Sequence, residues 1–190
     1  MAKDIQNPKI SIIAALIGAI AVIIGAIIQS GIFKDSSTSD MTSVSIAQKT
    51  YTLGLSGGTG GKEFKDAAIP KNSKAVTIKI WSGRVVYAIQ IVYETSQGYR
   101  HETPKHGGNG GSLNVFSLGE GEYITGISGK YGSLVDSIRI HTNKQISQLY
   151  GGSGGSSDYS YLVPNRIEII GFYGRAGDKI DAIGVTTREF

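Results

Sequence analysis

The chain has 190 residues, 40% of them hydrophobic, with 27 glycines, no cysteine and a formal charge of +4. That size allows one domain with a true core plus an appendage, and the missing cysteines exclude disulfides, thiolate metal sites and a cysteine nucleophile. Lys and Arg are scattered, with no two adjacent, which argues against a nucleic-acid surface.

The first element is apolar. From Ile10 to Ile28 only Ser11 carries a polar side chain, and 19 helical residues span roughly 28 Å, close to a bilayer's hydrocarbon thickness. A single membrane-spanning helix is expected. A cleaved signal peptide is the rival, but its apolar region is ordinarily shorter and ends in a small-x-small site, which "AIIQSG" does not offer. Lys3 and Lys9 precede the segment while Lys34 and Asp35 cancel after it, so the remainder is expected on the extracytoplasmic side. The resulting organisation is an anchor over 1–33, a polar linker over 34–43 ("KDSSTSDMTS") and a folded domain over 44–190 that begins between Val44 and Leu53. Ala14 with Gly18 and Ala21 with Gly25 have small-xxx-small spacing, read as ordinary membrane-helix composition, and a homo-oligomer is left open.

The domain then asks one question three times. "GGTGG" at 57–61 returns as "GGNGG" at 107–111 and "GGSGG" at 151–155. A second motif follows each start at 26, 25 and 26 residues: Gly83-Arg84-Val85-Val86-Tyr87, Gly132-Ser133-Leu134-Val135-Asp136 and Gly177-Asp178-Lys179-Ile180-Asp181. Runs with period-two patterning flank each motif: "AVTIKIW" and "AIQIVY", "EYITGI" and "SIRIH", "NRIEIIGF" and "AIGVTT". Each repeat reads as an antiparallel sheet unit with a glycine loop at its entrance and a Gly-x-x-x-Asp turn between strands. No helical periodicity competes, so the fold class is all-β with three-fold pseudosymmetry, three sheets sharing a core.

The motifs exclude some chemistries. A phosphate loop needs glycine where Ser56 stands and Ser or Thr where Glu63 stands. A calcium-binding glycine repeat needs an Asp inside the pentapeptides, and they contain none; no metal or cofactor is expected. His101, His106 and His141 lack metal spacing and are expected at the surface. A neutral polyol site survives: glycine lets a backbone N–H approach a ligand closely, and one carboxylate can accept from two vicinal hydroxyls. The competing structural reading makes the glycines plain turns, with Asp136 and Asp181 bonding their own loop amides. A glycosidase using Asp178 and Asp181, or Asp136, is disfavoured, because that pair sits three residues apart on one turn in no evident buried setting. Trp81 and Tyr123 fall on expected strands. Tyr131 and Tyr173, beside the turns, are better placed to touch a sugar.

"GGTGGKEFKD", "GEYITGISGKYGSLVDSIRIHTN" and "GFYGRAGDKIDAIGV" resemble jacalin-related lectins, the β-prism I family, across about Leu53 to Thr187. The triple GG-x-GG with Gly-x-x-x-Asp is especially similar to the griffithsin-type and banana-type mannose binders. The resemblance implies three antiparallel Greek-key sheets, no enzymatic activity, and binding of mannose- or glucose-containing glycans. It also implies a carbohydrate site of Gly177, Asp178, Lys179 and Asp181 closed by Gly61, the amides of 178 and 179 assisting. A second would comprise Gly132, Ser133, Leu134 and Asp136, closed by Gly155. In the third copy, Gly83 with Gly111, Tyr87 stands where the carboxylate is needed. Galactose-preferring members use a free α-amino group at the glycine aligned with Gly61, which sixty residues precede here, so the mannose/glucose branch is expected. The alternative is a structural or protein-interaction module on the same prism.

Overall fold

Alternating apolar and polar residues, rich in Ile, Val, Thr and Tyr, suit a pleated half-buried surface. The computed structural model describes residues 49–67 and 69–189, and among them there are thirteen strands and no helix long and apolar enough to cross a membrane. The expected membrane span at 10–28 and the linker at 34–43 lie outside the described residues. Those described belong to a compact unit, Ile46–Phe190. In chain order the strands are β1 (Thr50–Gly57), β2 (Lys62–Lys65), β3 (Ser73–Ser82), β4 (Val86–Thr95), β5 (Arg100–Glu102), β6 (His106–Gly107), β7 (Ser112–Ser117), β8 (Ile124–Tyr131), β9 (Ser137–Thr142), β10 (Tyr150–Gly151), β11 (Ser157–Leu162), β12 (Ile167–Ala176) and β13 (Ile180–Glu189).

They form three antiparallel sheets ordered β1-β13-β12-β2, β10-β9-β8-β11 and β5-β4-β3-β7, with β6 also on β4. Each sheet is built on a central hairpin (β12–β13, β8–β9, β3–β4) whose turn is one of the Gly-x-x-x-Asp or Gly-x-x-x-Tyr motifs. Each glycine loop joins the two strands that flank such a hairpin. One expectation is corrected here, because a sheet is not one sequence repeat. The loop at 57–61 closes the hairpin at 177–181, the loop at 107–111 the hairpin at 83–87, and the loop at 151–155 the hairpin at 132–136. The reason is edge closure: every hairpin has two open edges, and the last hairpin can take its covering strands only from the domain's beginning.

The core is shared evenly. Ile78, Ile80, Ile89 and Ile91 come from one sheet, Ile124, Ile127, Ile138 and Ile140 from the second, and Ile169, Phe172, Ile180 and Ile183 from the third; all are fully buried. Burial of each such side chain contributes about 1.5–3 kcal/mol, and none of the three apolar faces could be covered without the other two. Register shifts at Ala75/Thr77, Ile124/Gly126 and Ile169/Gly171 put a bulge at the corresponding place in each central hairpin.

Two of the three histidines differ from expectation. His106 is largely internal: its side chain is 10% exposed, its Nε2 lies 2.7 Å from Asp66 Oδ1, and its ring stacks on Phe64 at 4.1 Å. Asp66 Oδ2 in turn accepts from the Phe172 N–H at 2.8 Å, so this pair ties the first sheet to the residue that opens the second glycine loop. His141 is half-buried and shares a 2.7 Å hydrogen bond with Ser128 Oγ; burial, then the nearby Arg139 charge, hold its pKa below the ordinary value. His101 is exposed and stacks on Tyr93. Tyr123 precedes β8 instead of lying in a strand, whereas Trp81 is in β3 as expected.

Candidate functional site

The three hairpin turns meet at one end of the strands. Inside each, the first glycine N–H donates to the carbonyl two residues on: Gly83 to Val85, Gly132 to Leu134, Gly177 to Lys179, at 2.9–3.1 Å. Between them, Val86 N–H donates to Val135 O at 3.0 Å and Val135 N–H to Ile180 O at 2.9 Å, binding the turns into one platform. The glycine loops sit on this platform. Gly58, Gly108 and Gly152 donate to the carbonyls of Asp181, Tyr87 and Asp136. Each of these glycines also presses on the backbone of another turn, so that a Cβ would meet Ser133 O, Asp178 O or Arg84 O at 2.3–2.5 Å. Every loop therefore rests on two turns, and bare backbone is what lets it do so.

The carboxylates come next. A Cβ on Gly60 would lie 2.3 Å from Asp181 Oδ1, and one on Gly61 2.5 Å from Oδ2; Gly154 and Gly155 stand to Asp136 Oδ1 and Oδ2 at 2.4 and 2.9 Å. Both aspartates are half-buried, not the exposed turn ends that hairpin position alone suggests, because the loop backbone covers one side. Neither carboxylate has a hydrogen bond or ion pair among the described residues. An acceptor held against backbone without a partner is costly unless water or a ligand supplies donors. In the third copy the Tyr87 ring fills the equivalent space, its carbons facing Gly110 and Gly111 at 2.3–2.8 Å from their would-be Cβ atoms.

Two cavities open beside these groups. One of about 290 Å³ is lined by Gly61, Gly177, Asp178, Lys179 and Asp181, together with Leu134 from the next turn. All five residues expected at the first site are thus brought together. A larger one, about 760 Å³, is lined by Leu134, Asp136 and Gly152–Gly154, and continues along Gly83, Arg84, Val85, Tyr87 and Lys179. Gly132 and Gly155 stand against the Asp136 carboxylate, while Ser133 is exposed, lines neither cavity, and supports Gly58 instead. Tyr131 and Tyr173 line neither: Tyr131 packs near Tyr159 at 6.3 Å, and the Tyr173 hydroxyl donates to Gly54 O.

A match to the family model described as the jacalin-like lectin domain covers residues 53–186. The chain belongs to the jacalin-like lectin family. Horcolin from Hordeum vulgare is 37% identical over 142 residues, which cover 72% of this chain and 95% of horcolin. The mannose/glucose-specific lectin of Parkia pendula is 32% identical over 72% of this chain, a match that takes in 31% of that longer protein. Among solved structures, Malaysian banana lectin superposes with a TM-score of 0.65 at 28% identity, over 75% of this chain and all of its own. A mannose-binding jacalin-related lectin from Ananas comosus gives 0.64 at 28%, over 74% and 99%. The three-sheet prism of the jacalin-like fold is therefore shared by sequence and by shape.

Some contributors escaped sequence reasoning. Gly60 and Gly154 leave no room for a side chain beside the carboxylates: a Cβ on either would fall within 2.4 Å of an aspartate oxygen. Arg175 pins the first loop, donating from Nε to Gly60 O at 2.8 Å, from Nη2 to Gly61 O at 2.9 Å and from Nη1 to Glu63 at 3.1 Å. Its position two residues before Gly177 was the available signal, but only the β2–β12 pairing brings it under the loop.

Proposed function

We propose that the protein is a carbohydrate-binding lectin of the mannose/glucose type, acting by binding and not by catalysis. Asp181, with the amides of Asp178 and Lys179 and the Gly61 backbone, forms one site; Asp136, with Gly132, Ser133, Leu134 and Gly155, forms the second. The observation that carries this reading is the pair of half-buried aspartates, each pressed on a glycine loop at the rim of a cavity and each lacking a donor. Sugar hydroxyls are such donors, and charge-assisted bonds contribute about 1.5–3 kcal/mol each, enough for millimolar to sub-millimolar binding of one ring. The mannose-binding lectins of Ananas comosus and Champedak and the mannose/glucose-specific Parkia lectin support the choice of sugar. The competing module that binds no sugar leaves the two carboxylates unexplained.

Residues 10–28 complete the proposal as a single membrane span, with the domain on the extracytoplasmic side. In β1, the first described strand, Thr50 pairs with Arg188 and Gly57 pairs with Ala182 beside the turns. Carbonate extraction and protease accessibility test the span; a released product lacking its first thirty residues would mean a cleaved leader.

Calorimetric titration with methyl α-mannoside tests the site. Asp181→Ala and Asp136→Ala should each remove one class of site and weaken binding there by at least about tenfold, with unfolding free energy changed by less than about 1 kcal/mol, since neither carboxylate holds a structural bond. Undiminished heat in the double variant would refute the lectin reading.

A further inference from the structure

The two carboxylate sites are built alike but have unlike neighbours. The loop of the Asp181 site rests on the turn Gly132–Asp136, which presents Ser133 and Leu134 to it, and that cavity is small. The loop of the Asp136 site rests on the turn Gly83–Tyr87, where Gly152 sits on the Arg84 carbonyl, and its cavity is more than twice as large. Arg84, Tyr87 and Lys179 line the extension. Arg84 is exposed and Lys179 is half-buried, and neither side chain has an ion pair or hydrogen bond among the described residues, whereas Lys130 pairs with Asp158, Arg175 with Glu63 and Arg188 with Glu168. With Tyr87 in place of a third carboxylate, the described residues lining this groove carry two positive charges and one negative, Asp136. Lys179 also borders the smaller cavity, where Asp178 and Asp181 accompany it, so that site is net negative.

We infer that the groove from Asp136 to Tyr87 is an extended site for an acidic saccharide: a neutral hexose at Asp136 joined to an anionic unit lying between Arg84 and Lys179. The inference rests on the sugar-binding reading above and adds a ligand class that the Asp181 site would not favour. The volume, about 760 Å³, is within the usual range for ligand pockets of about 300–1,000 Å³ and exceeds what one hexose fills. A carboxylate and a sulfate share the chemistry that two unpaired cations recognise, Arg in bidentate fashion and Lys as a point charge.

The test is titration of the full chain with three disaccharides: glucuronosyl-mannose, its carboxyl-reduced neutral counterpart, and a sulfated mannobiose. The uronate, the sulfate ester, or both should bind about tenfold or more tightly than the neutral form, and the arm that does so identifies the anion. The preference should shrink severalfold between about 20 mM and about 500 mM NaCl. It should fall toward unity in Arg84→Gln combined with Lys179→Gln and be lost in Asp136→Ala, but persist in Asp181→Ala. Equal affinity for all three sugars would overturn the inference and leave the lectin reading standing. A preference that survives the double cation variant would overturn it as well, placing the anion elsewhere. No binding of any of the three would overturn both.

Discussion

At the scale of single residues, the chain separates groups that hold the fold from groups left free. Glu122 belongs to the first kind. Burial raises its pKa, but donors from Thr142 Oγ1, Gly119 N–H and Gln145 Nε2, with the Lys144 charge, outweigh burial and leave it below the ordinary carboxylate value. A depressed carboxylate contributes stability that is complete above its unfolded pKa and is lost as pH falls through the folded one. Denaturant unfolding should therefore show stability declining below about pH 4.5. Glu122→Gln should be less stable by about 1–3 kcal/mol at neutral pH, with a flatter acid limb. Tyr87 stands where the other two turns carry a free carboxylate. Tyr87→Asp should restore the carboxylate against Gly110 and Gly111 and raise the number of methyl α-mannoside sites from two to three in calorimetry, at some cost in melting temperature from lost ring packing.

Loops and turns show two different uses of glycine. Gly57 has φ of 138°, and a Cβ there would lie 2.1 Å from the Asp181 carbonyl and 2.5 Å from Ala182 Cα, both backbone atoms that cannot move away. Gly60 has no left-handed φ, and its first obstacle is the Asp181 side-chain oxygen at 2.3 Å. Gly57→Ala should thus cost about 2–4 kcal/mol in denaturant unfolding, through strain at the loop's root. Gly60→Ala should cost much less stability yet weaken sugar binding at the Asp181 site, because a displaced carboxylate relieves the clash. Equal stability losses for the two would contradict this division. The sequence exposed the loops and turns through their repeated spacing, but not which loop closes which turn. The pairing of 57–61 with 177–181 came from family resemblance; in the fold it follows from the closing of the last hairpin's open edges by the first strands.

At the level of the whole folded unit, the three sheets stand or fall together, because each gives at least four fully buried side chains to one core. Phe172 lies in the first sheet and Trp81 in the third, so a substitution in one can be read by fluorescence in the other. Phe172→Ala should cost about 3–5 kcal/mol, and the Trp81 transition should shift by the same amount as circular dichroism, in one cooperative step. A Trp81 signal that stays in place would mean the sheets unfold separately. Sequence by itself determined the all-β class, the three-fold frame, the six strands of the central hairpins and the tyrosine in place of a third carboxylate, since all of these are local: period-two patterning, glycine spacing and residue identity at a fixed offset. Only the tertiary structure decided that His106 is internal, that Arg175 holds the first loop, and that Arg84 borders the Asp136 cavity while Lys179 borders both cavities. These depend on pairings between residues 40 to 115 positions apart, from His106 with Asp66 to Arg175 with Gly60, that no local pattern encodes.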